Sequence, residues 1–131
     1  MGPSVAALVD QAREVRQRAV ATYSGFFVGA ALAADTGRVF TGCNIENSSY
    51  GLTICAERVA VFKAVSTGCR QFTRIAIAAD TEVVISPCGA CRQVLWELCG
   101  DIEVVLANLT DQVETVQMVA LLPRPFHASF L

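Results

Sequence analysis

Apolar and polar positions in the first third of the chain predict a helix followed by two strands. Ser4 can cap a helix that runs to about Ala21, because apolar side chains recur between them at helical spacing. Residues 26–34 are almost all apolar and predict a buried strand. The Thr-Gly pair at 36–37 predicts a turn into a second strand over 38–43. This region therefore predicts one helix and a β-hairpin.

The rest of the chain alternates between helical and strand patterns. A polar loop over 44–53 precedes a predicted helix over 54–66, and a third helix opens at residues 86–87 and ends near Gly100. Residues with high β propensity predict the remaining strands, over 74–79, 102–107 and 115–118. This order predicts an α/β fold over 1–131 as a single domain, with a mixed five-stranded sheet in a three-layer α/β/α arrangement.

Composition and charge narrow the class of protein. The chain has 131 residues, of which 53% are hydrophobic and 17% charged, with a net charge of −2 and no basic run. This balance argues against a nucleic-acid partner, whose binding needs clustered Lys and Arg. The longest apolar stretch, over 25–34, is shorter than the roughly 20 residues that span a membrane, and no secretory signal is visible. We therefore expect a soluble cytoplasmic protein.

The apolar share also bears on assembly. One small domain has limited interior for so many apolar side chains, so part of the surplus is expected to lie between subunits. The alternative is a core that is simply rich in Ala and Val. We predict a homo-oligomer.

The cysteines provide the first candidate chemistry. Their number, six, is compatible with three disulfides, but a chain without a secretory signal is expected in a reducing compartment. Cys88 and Cys91 lie three residues apart at one predicted helix start, and Cys55 lies at another. Three protein ligands with one open position are typical of catalytic zinc. We therefore predict one zinc ion per chain on these residues and no ligand role for Cys43, Cys69, Cys99 or His127.

Two charged residues, Glu57 and Arg58, lie just after Cys55. A carboxylate beside zinc can accept and return protons, which predicts a catalytic role for Glu57; the alternative is an ordinary acidic residue at a helix start. The positive charge of Arg58 would offset the negative charge of the thiolates and so tune the Lewis acidity of the metal. The alternative is a solvent-facing helix residue.

These segments resemble a known family. C-A-E at 55–57 and P-C-G-A-C at 87–91 resemble the all-cysteine form of the zinc deaminase signature. Further segments are similar to the small homotetrameric cytidine deaminases: T-Y-S-G-F-F-V-G-A-A-L at 22–32, G-C-N-I-E-N-S-S-Y-G at 42–51 and L-L-P-R-P-F at 121–126. Thr22 departs from the proline that is usual in this family, at a turn near the expected pocket mouth and subunit interface.

The resemblance implies roles in substrate binding. Asn44 and Glu46 would bind the 3′-hydroxyl of the ribose. Phe26 would pack on the base, and the backbone N–H of Ala56 would bind the pyrimidine O2. For Phe26 the alternative is a core residue of the strand.

The resemblance also implies a tetramer whose active sites are shared. Tyr50 and Phe126 would each reach into the site of a neighbouring subunit. Plain interface packing is the alternative for both.

The implied reaction is the hydrolytic deamination of cytidine and deoxycytidine in pyrimidine salvage. Zinc-bound hydroxide would attack C4 of the base while Glu57 moves the protons, releasing ammonia and uridine or deoxyuridine. Deamination of an analogue such as blasticidin S is the nearest alternative, but the intact segment over 42–51 and Phe126 favour cytidine. Polynucleotide editing is disfavoured because the chain lacks a basic aromatic surface. A structural zinc module is disfavoured because it would need a fourth protein ligand.

Overall fold

The structure, a computed structural model, describes residues 2–131, along which helices and strands alternate. Its elements are α1 (Val5–Val15), β1 (Val28–Ala34), β2 (Val39–Cys43), α2 (Ala56–Ser66), β3 (Phe72–Ala79), α3 (Gly89–Cys99), β4 (Glu103–Ala107), β5 (Val113–Gln117) and α4 (Met118–Leu121). Short 3-10 turns lie at Arg16–Arg18, Tyr50–Leu52 and Ala128–Phe130. None of the helices within 2–131 is both long and apolar enough to cross a membrane.

The strands form one mixed sheet of five, in the order β2-β1-β3-β4-β5. β3 and β4 run parallel, and the other neighbouring pairs are antiparallel. Successive side chains of β1 point to opposite faces, so that Ala31 packs in the cluster of α1 and Leu32 in the cluster of α2, α3 and α4. Helices therefore cover both faces, and the predicted three-layer α/β/α fold is confirmed.

The first helix is shorter than predicted. Ser4 caps it, as expected, by accepting a hydrogen bond from the N–H of Ala7 at 3.1 Å. The helix ends at Val15, however, and not near residue 21. The cause is a long-range pairing, because Val20 forms a β-bridge with Ile45 and its backbone leaves the helical path to do so. This bridge ties the end of the first segment to the loop that follows β2.

A glycine brings β2 close to the start of α2. A Cβ atom on Gly42 would lie 2.5 Å from the backbone oxygen of Ala56 and 2.5 Å from the backbone nitrogen of Ala60. Only a residue without a side chain allows this approach. The contact fixes the first turn of α2 against the sheet, and that turn carries Glu57.

The predicted start of the third helix needs a correction. The sequence predicts that Pro87 occupies the first turn, but α3 begins at Gly89 and Cys88 is its N-cap. Cys88 has an extended backbone, with φ −64° and ψ 166°, so the chain turns into the helix only after it. Pro87 is buried just before the cap.

Candidate active site

Two helix starts bring three cysteines together. Cys55 is the N-cap of α2, Cys88 is the N-cap of α3, and Cys91 lies buried in the first turn of α3. Neither N-cap side chain makes a capping hydrogen bond. The sulfur atoms instead face one another, and all three lie within 4.8 Å. The predicted cluster of metal ligands is therefore formed.

The spacing of the sulfurs fits zinc. Tetrahedral zinc lies about 2.3 Å from each thiolate, which separates neighbouring sulfurs by about 3.8 Å. The Sγ atoms of Cys55 and Cys88 are 3.9 Å apart. Within residues 2–131 no further Cys, His, Asp or Glu joins the group, so three protein ligands leave a fourth position for water or substrate. His127 lies elsewhere, with its Nδ1 2.8 Å from the Ser129 hydroxyl.

The surroundings of the cluster favour the thiolate form of Cys55. The pKa of Cys55 falls to about 5, because the Cys91 thiol hydrogen-bonds to its sulfur and the Arg58 guanidinium does so as well, while burial opposes the shift. The same hydrogen bond with Cys55 raises the pKa of Cys91, because the shared proton stays on the Cys91 sulfur. The N-termini of α2 and α3 each add about half a positive charge. Negative charge is thus stabilised where a metal would need it.

Arg58 points toward this cluster. Its Nη2 lies 3.7 Å from the Sγ of Cys55, and the side chain is half-buried. Its Nε is buried without a hydrogen-bond partner among the described residues. The side chain is therefore not the fully solvent-facing residue of the alternative interpretation.

Glu57 lies in the first turn of α2 and is only 4% exposed. The pKa of its carboxyl is raised to about 7, mainly by burial and also by the negative charge of Cys55, against the opposing effects of a backbone hydrogen bond and of Arg58. A buried carboxylate is costly unless it is paired, and carboxyl groups with a strongly raised pKa cluster at functional sites. Its position beside the thiols and on a cavity wall is compatible with the catalytic role that the sequence predicts.

The cavity beside the cluster has a volume of about 330 Å³. Of the predicted site residues, it brings together Phe26, Asn44, Glu46, Cys55, Ala56, Glu57 and Cys88. A second cleft of about 310 Å³ adjoins it and shares Ser24, Glu46 and Thr53 with it. The predicted catalytic residue and four of the six predicted substrate-binding residues, Phe26, Asn44, Glu46 and Ala56, therefore line one space.

Two polar side chains hold the wall that carries Phe26. Asn44 accepts a hydrogen bond from the N–H of Val28 at 2.8 Å and donates one to the carbonyl of Phe26 at 2.8 Å. The Glu46 carboxylate accepts hydrogen bonds from the backbone N–H groups of Tyr23 and Ser24, at 2.9 and 3.1 Å, and from the hydroxyl of Ser24. The predicted sugar-binding residues thus also organise this loop.

Tyr50 and Phe126 do not line the cavity of their own chain. Tyr50 is 75% exposed and lines the adjoining cleft, with its ring centroid 5.8 Å from that of Tyr23. Phe126 is 57% exposed, and its backbone N–H and carbonyl pair with the Gln93 side chain at 3.0 and 2.8 Å. Both aromatics are presented outward.

Three residues near the site escaped the sequence analysis. Ser24 binds Glu46. Arg92 binds the segment before Cys88, and Gln93 binds the C-terminal segment at Phe126. The signal for the last two was their position directly after Cys91, at the start of a helix that carries two ligands.

Comparison with known proteins agrees with this geometry. The sequence profile of the cytidine and deoxycytidylate deaminase zinc-binding region matches residues 4–108. The chain belongs to this family of zinc-dependent deaminases. The family that the C-A-E and P-C-x-x-C segments resemble is thereby confirmed, and with it an enzyme that uses zinc.

Individual members of the family are similar over nearly their whole length. A cytidine deaminase from Sporosarcina psychrophila is 51% identical over 120 residues, covering 91% of this chain and 88% of that protein. One from Halalkalibacterium halodurans is 50% identical over 122 residues, covering 92% of each. The crystal structure of cytidine deaminase from Burkholderia pseudomallei is 47% identical with a TM-score of 0.92, covering 95% of this chain and 100% of that one.

Proposed function

We propose that this chain hydrolyses the C4 amine of cytidine and deoxycytidine, releasing ammonia and uridine or deoxyuridine, as a cytoplasmic enzyme of pyrimidine salvage. The observation that carries the proposal is the buried Glu57 beside three thiols on the wall of a cavity of about 330 Å³. Full-length relatives named cytidine deaminase support the substrate. We further propose that residues 1–131 act as a single catalytic domain.

Cys55, Cys88 and Cys91 would hold the zinc ion. When bound, zinc supplies the Lewis acid that makes water nucleophilic at neutral pH. Arg58, with its Nη2 3.7 Å from the Cys55 sulfur, would offset the negative charge of the thiolates. The metal would then keep more of its electron-withdrawing power than three thiolates alone allow.

Glu57 would carry the protons of the reaction. It would take one from the attacking water and deliver it to N3 of the base. It would later take the proton of the hydroxyl added at C4 and deliver it to the amine, so that ammonia leaves as the C4–N bond breaks. The burial of its side chain excludes bulk water, so a proton on its carboxylate is passed to the substrate and not lost to solvent. One carboxylate on the cavity wall can serve each transfer in turn.

The base would lie between Phe26 and the start of α2. The Phe26 side chain is 40% exposed on the cavity wall and can pack on a pyrimidine face. Ala56 is the first residue of α2, so its N–H has no partner within the helix and can donate to the pyrimidine O2. These contacts would orient C4 toward the thiol cluster.

Asn44 and Glu46 would bind the 3′-hydroxyl of the sugar. The Asn44 amide keeps one unused N–H beside its bonds to the loop, which can donate to a hydroxyl oxygen. The Glu46 carboxylate is held by three donors and retains acceptor capacity for the hydroxyl hydrogen.

The charge of the cavity favours a nucleoside over a nucleotide. The cavity and the adjoining cleft contain the carboxylates Glu46 and Glu57, and no Lys or Arg among the described lining residues. A phosphate bound there would lose water without gaining a Lys or Arg partner. Deoxycytidylate, the other substrate class in the family's description, is thus disfavoured.

A substrate panel tests the proposal. We expect the purified zinc-loaded protein to release ammonia from cytidine and deoxycytidine, and at least about 100-fold more slowly from deoxycytidylate and blasticidin S. Protein with Glu57→Gln, prepared identically, controls for a contaminating deaminase. Absence of turnover with either nucleoside, or faster turnover of blasticidin S, would contradict the proposal.

We also propose that the working assembly is a homotetramer. Tyr50 and Phe126 are large aromatic residues that lie exposed in the single chain, 75% and 57% respectively. Phe130 and Leu52 add further exposed apolar area. Such surfaces are typical of subunit interfaces. Tyr50 and Phe126 would each complete the cavity of a neighbouring subunit.

A further inference from the structure

Arg92 joins three segments at the edge of the zinc site. Its Nε donates a hydrogen bond to the Pro87 carbonyl at 2.7 Å, and its Nη2 donates to the Ser86 hydroxyl at 2.6 Å. Its Nη1 donates to the carbonyl of Leu121, the last residue of α4, at 2.8 Å. Its backbone N–H donates to the Cys88 carbonyl at 3.0 Å. One side chain thus connects α3, α4 and the segment that ends at Cys88.

We propose that Arg92 is a positioning residue that holds the Cys88 sulfur in place for metal binding. The inference rests on the zinc site of the proposed function and adds to it a residue outside the ligand set. Arg92 is not one of the thiol ligands and does not itself line the cavity, although its partner Ser86 does. Its side chain acts through the Ser86 hydroxyl and the Pro87 carbonyl, next to Cys88.

Cys88 needs such support more than the other two ligands do. It is exposed, whereas Cys91 is buried and Cys55 is half-buried. The chain before Cys88 has neither helix nor strand from residue 80 onward, so no ladder of backbone hydrogen bonds restrains it. The side chain of Cys88 makes no capping bond to α3. The bonds from Arg92 therefore supply hydrogen-bonded restraint at this ligand, in addition to the packing of the buried Pro87.

The chemistry of the guanidinium explains why arginine suits this position. Its planar fork donates in several fixed directions at once, which matches three oxygen acceptors on two separate segments. A lysine ammonium has a single nitrogen and cannot reach all three acceptors. Arg58 differs, because it contacts the Cys55 sulfur directly. The two arginines therefore divide the work, Arg58 acting on charge and Arg92 on geometry.

The test measures zinc release and not activity. Arg92→Lys keeps the charge but loses the fork, and zinc transfer to excess pyridylazoresorcinol gives the dissociation rate. Residues that orient metal ligands typically change metal affinity by about 10- to 100-fold, and we expect release to be faster by roughly the lower figure. Arg13→Lys is the matched control, because Arg13 donates to the carbonyls of Asn108 and Thr110 from α1, on the other face of the sheet.

Further measurements separate positioning from general loss of stability. Circular dichroism checks that each variant stays folded during the release experiment, and Ser86→Ala, which removes one acceptor only, should speed release to a smaller extent. If Arg92→Lys does not fold, the comparison of Ser86→Ala with Arg13→Lys decides. Equal release rates in the Arg92 and Arg13 variants, or failure of the parent to bind zinc, would overturn the inference.

The result is independent of the substrate. Cytidine turnover by the parent is measured on the same preparation. If the parent holds zinc in an Arg92-dependent way but does not deaminate cytidine, the proposed function fails and the positioning role stands. If the parent deaminates cytidine but the Arg92 and Arg13 variants release zinc at the same rate, the proposed function stands and the positioning role of Arg92 fails.

Discussion

The hydroxyl of Ser24 donates a hydrogen bond to the carboxylate of Glu46, and its oxygen accepts one from the backbone N–H of Phe26 at 3.0 Å. The pKa of Glu46 lies below its usual range because of this hydroxyl and the N–H groups of Tyr23 and Ser24. The residue proposed to bind the sugar and the residue proposed to pack on the base are therefore parts of one hydrogen-bonded unit. Such an arrangement orients both before the substrate arrives.

Loss of this hydroxyl should weaken substrate binding. Ser24→Ala removes the link between Glu46 and the Phe26 backbone, and we expect KM for cytidine to rise by up to about tenfold with kcat changed less than about twofold. Steady-state kinetics measure both constants. Ser66→Ala is the matched control, because it removes one exposed hydroxyl bond, to the Lys63 carbonyl, near the end of α2. A fall in kcat at unchanged KM would contradict the positioning role of Ser24.

Replacement of the buried carboxylate should abolish turnover without loss of the metal. Glu57→Gln keeps the size of the side chain but cannot accept a proton, so we expect kcat to fall by about 10⁴-fold, the upper end for a general acid–base group. Zinc content, measured by elemental analysis, should stay at one ion per chain. Glu97→Gln, on the exposed side of α3, is the control. Activity within a few fold of the parent would mean that another group moves the protons.

The sequence predicted the parts of the fold and site that local patterns determine. The strand predicted over 26–34, observed as β1 over Val28–Ala34, was recognisable because both faces of β1 are buried, which makes the stretch apolar throughout. The zinc ligands were recognisable because thiolate chemistry demands particular residues at particular spacings around Cys88 and Cys91. The strand and the Cys88–Cys91 pair depend on residues that are close in sequence, whereas Cys55, 33 positions before Cys88, was recognisable by its own position at a helix start.

Contacts between distant parts of the chain were not predictable in this way. The first helix was predicted too long, because Val20 pairs with Ile45 across 25 positions of sequence. Ser24 binds a carboxylate 22 positions away, and Arg92 reaches a carbonyl 29 positions away. A serine or an arginine alone does not indicate its partner, so these roles emerge only from the folded chain.

The close approach of β2 to α2 should make Gly42 sensitive to any side chain. In Gly42→Ala the new Cβ would lie 2.5 Å from the backbone oxygen of Ala56, and backbone atoms must move. We expect a loss of about 1–3 kcal/mol in the free energy of unfolding and a fall in Tm of at least about 3 °C. Gly51→Ala is the control, since its Cβ would meet nothing within 4 Å.

Calorimetry of both glycine variants measures this difference. The displaced segment also carries Cys55 and Glu57, so Gly42→Ala should lose zinc more readily than Gly51→Ala does. An unchanged Tm for Gly42→Ala would mean that β2 and α2 are further apart in solution than the structure places them.

The proposed tetramer predicts that Phe126 acts on a neighbouring subunit. Its backbone is anchored to α3 by Gln93, while its ring lies exposed outside the cavity of its own chain. Phe126→Ala should therefore raise KM for cytidine, because the site of the neighbouring subunit loses an aromatic contact. Zinc content should stay unchanged, because no metal ligand is altered. In sedimentation, the parent should be a tetramer at assay concentration, and activity should fall on dilution together with the tetramer.

Mixed assemblies decide whether Phe126 works within its own chain or across the interface. Phe126→Ala subunits retain Glu57, and Glu57→Gln subunits retain Phe126, so neither alone has a complete site. When the two are unfolded together and refolded as mixed tetramers, a site with intact Glu57 can receive Phe126 only from its neighbour. We expect a fraction of sites with the parental KM to appear on mixing. If KM stays at the value of Phe126→Ala at every mixing ratio, or if the parent is a fully active monomer, Phe126 does not complete a neighbouring site.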